Sequence, residues 1–157
     1  MENRTLQSEI FKQHPFDTKE QEAYLSVLRT GVKLEAAVER LFKDFGLSHA
    51  TYNVLRILRG SGDAGRACHE ISEHMVARVP DITRLVDRLE RAGYAKRARG
   101  GTDRRVVNVT ITKAGLDLLG TLDAPVLELH EKQLGHMSRQ ELQTLIDLLA
   151  KARHPAS

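Results

Sequence analysis

Eight cationic side chains crowd one short stretch of this 157-residue chain: Arg84, Arg88, Arg91, Lys96, Arg97, Arg99, Arg104 and Arg105. Three acids, Asp87, Glu90 and Asp103, stand against them. The 22 residues from Arg84 to Arg105 therefore carry +5, while the whole chain carries only +3. Cations at that density suit the phosphate backbone of a nucleic acid, and a local basic stripe on a near-neutral body is what such binding requires. Charge alone leaves a solvated basic face open as the alternative.

Other chemistries find little to work with. The chain has no Gly-rich phosphate loop, no nucleophile elbow and no zinc-protease motif, so an enzyme is not expected. His69 and His74 are five apart and His130 and His136 six apart, not the three or four that one helix face needs, so neither metal nor cofactor is expected. The one cysteine, Cys68, excludes an internal disulfide and fits a reducing compartment. At a helix start its thiolate is somewhat favoured, which keeps a cysteine-based redox-sensing regulator as an alternative to a quiet thiol. No apolar run approaches the roughly 20 residues of a membrane span, and residues 1–16 lack a signal-peptide core. The expected location is cytoplasmic and nucleoid-associated, away from membranes. Apolar residues make up 41% and charged residues 29%, a globular balance whose core must be aliphatic because aromatics are only 4%.

Hydrophobic periodicity defines the elements that must position the cations. A helix is predicted over about 19–45, opened by Asp17 or Thr18 and ended by Gly46. Ser48 caps a second, with Tyr52, Leu55, Ile57 and Leu58 on its apolar face. Residues 60–65 read as a loop. A short helix over about 67–75 follows, and another over about 80–92 with Pro80 in its first turn. In the latter, Ile82, Leu85, Val86 and Leu89 face inward, Arg84, Arg88 and Arg91 face outward, and Gly93 ends it. The period then changes to two. Residues 94–99 and 105–111 read as strands around a turn at 100–103, which gives a hairpin with a basic tip. Thr112 caps a helix carrying Leu116, Leu119, Leu122, Val126, Leu127 and Leu134, in which Pro125 should make a kink or break. Ser138 caps the last helix, with Leu142, Leu145, Ile146 and Leu149 at helical spacing.

Two short helices, a basic hairpin and a helix describe a winged helix-turn-helix: a mainly α fold with a small β-wing, flanked by N- and C-terminal helices. The second helix of such a pair presents its N-terminal side chains to major-groove base edges, and the hairpin lays arginines on the backbone or in the minor groove. Arg84 and Arg88 are thus candidates for phosphate or base contacts, with solvated charges paired to Asp81 or Asp87 as the alternative. Thr83 and Arg78 lie close enough to the helix start to join them, and Asp81 is ambiguous, either accepting from a cytosine amine or serving as a dipole or capping residue. Arg99, Arg104 and Arg105 are the wing candidates. Phosphates would repel Asp103, so it is expected to pair with Arg97 or Arg105 and stiffen the wing.

The run from Ile82 to Gly115 resembles the signature of the MarR (multiple antibiotic resistance regulator) family. The matching parts are Leu89-Glu90, Gly93, Arg97, Asp103-Arg104-Arg105, Ile111-Thr112 and Gly115. The resemblance implies a single domain over 1–157. Residues of about 47–112 would form the winged helix-turn-helix, and about 19–45 and 113–153 the dimerisation helices. It implies a homodimer on a pseudo-palindromic double-stranded operator, usually a repressor, often released by a small aromatic or phenolic ligand. It favours Arg105 for the minor groove and Arg104 for the backbone, though the two could be reversed. It places His49 and Tyr52 at a ligand cavity, with ordinary packing as the alternative. One departure is the turn before the recognition helix. Many members have a small residue such as Gly there, and this chain has Val76, Ala77 and Arg78. A winged-helix module that binds protein is the remaining alternative, against which the wing arginines argue.

Overall fold

The computed structural model describes residues 5–99 and 107–154. Their order is α1 (Leu6–Glu9), α2 (Lys19–Lys43), α3 (His49–Ser61), β1 (Arg66–Ala67), α4 (Cys68–His74), α5 (Ile82–Arg91), β2 (Ala95–Arg99), β3 (Val107–Ile111), α6 (Lys113–Leu134) and α7 (Arg139–Arg153). A single 3-10 turn, Gly62–Ala64, leads from α3 to β1.

Side-chain oxygens set the helix starts by accepting from amides that have no partner inside the helix. Thr18 accepts from Gln21 N, Thr112 from Gly115 N and Ser138 from Glu141 N. Ser48 and Thr51 cap each other reciprocally at α3, and Thr51 is fully buried there. Two helices end in the same paired backbone bonds around a left-handed glycine. After α2, Leu47 N donates to the Phe42 carbonyl and Gly46 N to that of Lys43, with Gly46 at φ 69°. After α5, Tyr94 N donates to the Leu89 carbonyl and Gly93 N to that of Glu90, with Gly93 at φ 79°.

Helix α3 runs through the middle of the molecule. It packs on α2, α4, α5, α6 and β3, and its Val54, Leu55 and Leu58 are wholly buried. Phe42, Ile71, Val86, Leu89, Val109, Leu119 and Leu122 close around them. Burying each such side chain stabilises by about 1.5–3 kcal/mol. The sheet is antiparallel in the order β1-β3-β2, with Ala95 opposite Ile111 and Arg99 opposite Val107. Gly115 lets α6 lie against the hairpin, because a Cβ there would sit 2.4 Å from the Tyr94 carbonyl oxygen. An ion pair joins α3 to α6: Arg59 donates from both terminal nitrogens to Asp123, at 2.8 and 3.0 Å.

The structure corrects the sequence reading in several places. The stretch after Gly65 holds a strand, where Arg66 pairs with Val109 and Ala67 with Asn108. Two residues are too few to show a period, so only the ladder partner reveals β1. Pro80 lies outside α5 rather than in its first turn, because Asp81 takes the cap position and accepts from Arg84 N. Pro125 does not break α6, which is continuous from Lys113 to Leu134. The missing amide leaves only the Thr121 carbonyl without its helical donor, and the buried neighbours Leu122 and Val126 hold the helix in place. The short α1, capped by Thr5, precedes the first expected helix, which itself stops at Lys43.

Candidate nucleic-acid interface

Helix α5 is amphipathic to the degree that this role needs. Val86 and Leu89 are buried, Ile82 and Leu85 half-buried, and Thr83, Arg84, Arg88 and Arg91 are exposed. At 100° per residue Arg84, Arg88 and Arg91 fall in one stripe. Thr83 and Arg84 stand in the first turn. Arg78 is exposed in the preceding turn. Among the described residues neither Arg78 nor Arg84 has an ion-pair partner for its guanidinium. The Arg88 Nη2 donates to the Gly46 carbonyl at 3.3 Å, across the corner between α2 and α3. The two acids that might have quenched this face are engaged elsewhere, Asp81 at the cap and Asp87 on Arg97.

Arg97 is held from the helix, not from the wing alone. Its Nη2 lies 2.6 Å from Asp87 Oδ1 and its Nη1 2.5 Å from Glu90 Oε2. Its backbone amide donates to the other oxygen of Glu90 at 3.0 Å. Burial pulls the Arg97 pKa down, but the hydrogen bonds to Asp87 and Glu90 outweigh it and the net direction is up. The cation is therefore permanent, and β2 is tied to α5 at three points. Sequence reasoning missed Asp87 and Glu90 as partners of Arg97. Their spacing of three, on one helix face just before a strand, was the available signal. Asp103, Arg104, Arg105 and the Arg99 side chain lie outside the described residues, while the Arg99 backbone ends β2 beside Val107.

The turn ahead of α5 does not need a glycine. Among the described residues Phe11 is the one non-glycine with positive φ, so Val76 sits in ordinary backbone. Its amide donates to Asn53 Oδ1 of α3 at 2.9 Å.

His49 and Tyr52 both pack on Phe42. The Tyr52 ring stacks on it at 4.2 Å between centroids, and its hydroxyl accepts from Arg56. The His49 Nδ1 lies 2.8 Å from Glu35 of α2. Cys68 is half-buried at the start of α4. Among the described residues no group of His, Cys, Asp and Glu could hold a metal ion, and no helix is long and apolar enough to cross a membrane.

A helix pair led by an exposed cationic face, a three-stranded wing tied to it and helical arms on both sides define a winged helix-turn-helix DNA-binding regulator. The sequence model of the MarR family matches residues 47–107. The transcriptional repressor IacR of Pseudomonas putida is 30% identical over 117 residues, covering 74% of this chain and 69% of that one. A MarR transcription factor from Planctomyces limnophilus is 45% identical, with a TM-score of 0.67 over 87% of this chain and 98% of that one. This chain belongs to the MarR family of transcriptional regulators. The match to the transcriptional regulator PapX of Escherichia coli, 33% identical over 57% of this chain, spans about half of that protein, 54%. Sco3205 of Streptomyces coelicolor, solved in complex with DNA, shares the fold at a TM-score of 0.76 and 19% identity, covering 92% of this chain and 95% of that one.

Proposed function

We propose that the protein is a homodimeric repressor that reads a pseudo-palindromic double-stranded operator and leaves it when a small aromatic or phenolic ligand binds. The observation that carries this reading is the outward face of α5, where Arg78, Thr83 and Arg84 stand exposed at its leading end and, among the described residues, neither arginine has an ion-pair partner. Thr83 and Arg84 meet base edges and adjacent phosphates, Arg78 and Arg88 the backbone. The wing arginines Arg99, Arg104 and Arg105 continue along it, with Arg105 in the minor groove. The name of IacR supports repression, and the Sco3205 complex supports DNA as the partner.

Pairing is supported by apolar surface that the described residues leave uncovered. Tyr24, Val27, Leu28 and Val32 on α2, Leu116 and Leu127 on α6, and Ile146 and Leu148 on α7 are exposed, and α7 buries no residue. A second copy laid on these arms would cover them and set the distance between two recognition helices. The ligand works by binding the DNA-free spacing more tightly, since without that difference it shifts nothing. The ligand site that goes with this reading lies beside His49 and Tyr52, where His49 is paired with Glu35. The location that goes with this role is the cytoplasm, on the nucleoid.

The test is fluorescence anisotropy on the DNA upstream of the protein's own gene, against scrambled DNA, over a salt series. Selective binding with a steep negative salt slope is the expected result. Equal affinity for both DNAs at every salt concentration would sink the operator-reading part of the proposal.

A further inference from the structure

Within residues 47–112, two large apolar side chains among those described are exposed, Val76 and Val107. Val76 stands out at 84%. It lies in the turn that leads to the Asp81 cap, two residues before the exposed Arg78. The turn is not slack. Asn53 Oδ1 holds the Val76 amide at 2.9 Å, and Met75 packs against the core just before it. An isopropyl group thus stands in water on an anchored stretch of backbone, two residues before Arg78. Every other side chain assigned to that face is a charged or hydroxyl group that would meet phosphate or polar base edges. The major groove also offers one apolar group, the C5 methyl of thymine.

We propose that Val76 is a base-reading residue that packs against a thymine methyl in each half-site. The assignment rests on the DNA-reading function proposed above. Asn53 anchors the backbone at Val76, so less is lost in ordering the turn on contact. Val76 takes no part in phosphate binding, so its contribution is to sequence choice and not to general affinity.

The experiment starts from duplexes selected from random DNA by the wild-type protein. Each thymine in the selected site is then replaced by deoxyuridine, which removes only the methyl group. One thymine per half-site is expected to matter. Its replacement weakens wild-type binding by about four-fold, the equivalent of one buried methyl group, and leaves Val76→Ala unaffected. Val76→Ala also binds the unmodified site more weakly with an unchanged salt slope, because no phosphate contact is lost. A selected site in which no uracil weakens the wild type, or in which Val76→Ala suffers the same penalty, overturns the assignment and leaves DNA reading intact. Failure to select any sequence removes the DNA reading itself, and the assignment falls with it.

Discussion

Arg97 and Glu90 are joined twice, once through the strand's backbone amide at 3.0 Å and once through the guanidinium at 2.5 Å. One carboxylate therefore fixes both where β2 leaves the helix and which way its arginine turns. Arg97→Ala is expected to lower stability by about 1 kcal/mol, since the pair is partly exposed. It should also weaken DNA binding by the ordering that the wing then needs, about 0.5–1.5 kcal/mol. Glu90→Gln keeps an acceptor for the amide and should lose less. Thermal melting and anisotropy on the same samples check both; equal DNA affinity in Arg97→Ala and wild type would remove the positioning role.

Arg84 tests the helix face directly. Arg84→Ala should weaken binding by about 1–3 kcal/mol, and its salt slope tells base from phosphate. A slope smaller by about 1 marks a phosphate contact. Arg105→Ala should cost a similar amount, and unchanged affinity at matched salt would remove its minor-groove role.

The arms offer a cleaner test of pairing. Leu127 is 63% and Ile146 57% exposed in the single chain, so a charge at either should leave a lone subunit folded. In a dimer it meets apolar surface. Leu127→Asp and Ile146→Asp are expected to give a monomeric mass by light scattering and about 10²-fold weaker operator binding. A dimeric mass for both would place the interface elsewhere.

The Arg59–Asp123 pair predicts a pH dependence. The hydrogen bonds from Arg59 hold the Asp123 carboxyl below its ordinary range. A depressed carboxylate adds stability that is full above its unfolded pKa of about 3.9 and fades as pH falls through the lower folded value. Asp123 is 43% exposed, so the contribution at neutral pH is about 1 kcal/mol or less. Asp123→Asn should therefore melt below wild type at pH 7, with the gap closing in acid. A gap that persists well below pH about 3 would point to another cause.

Gly115→Ala should destabilise, although alanine is the better helix former by about 1 kcal/mol. The added carbon would lie 2.4 Å from the Tyr94 carbonyl oxygen and 2.7 Å from Ile111 Cγ1. Overpacking of that kind costs about 1–3 kcal/mol. A raised melting temperature would show that the hairpin can yield.

What could be read from the chain was local. Thr18, Ser48, Thr112 and Ser138 each announce a helix through an oxygen that reaches only three residues, and Gly46 and Gly93 end theirs within the same reach. The cationic face of α5 was equally plain, because its period lies wholly within ten residues. What stayed hidden depends on partners distant in sequence. Strand β1 exists through pairing with residues more than forty positions away. Val54 was not on the expected apolar face because α3 is covered on nearly every side and so lacks a single stripe. Pro125 argued for a kink or a break from its own geometry, but α6 continues through it beside the buried Leu122 and Val126. Arg97 was placed in the wing by its position, while its acids lie across the corner on α5.

The three-point tie between β2 and α5 has a consequence for how operators should be compared. The tie resists independent movement of α5 and β2, so on the proposed reading each half-site is judged largely as a block. A base change under the helix that tilts it also displaces the wing over the neighbouring groove. Preferences at the two sets of positions should therefore be correlated. A scoring matrix that treats each base pair separately will misjudge sites carrying paired changes.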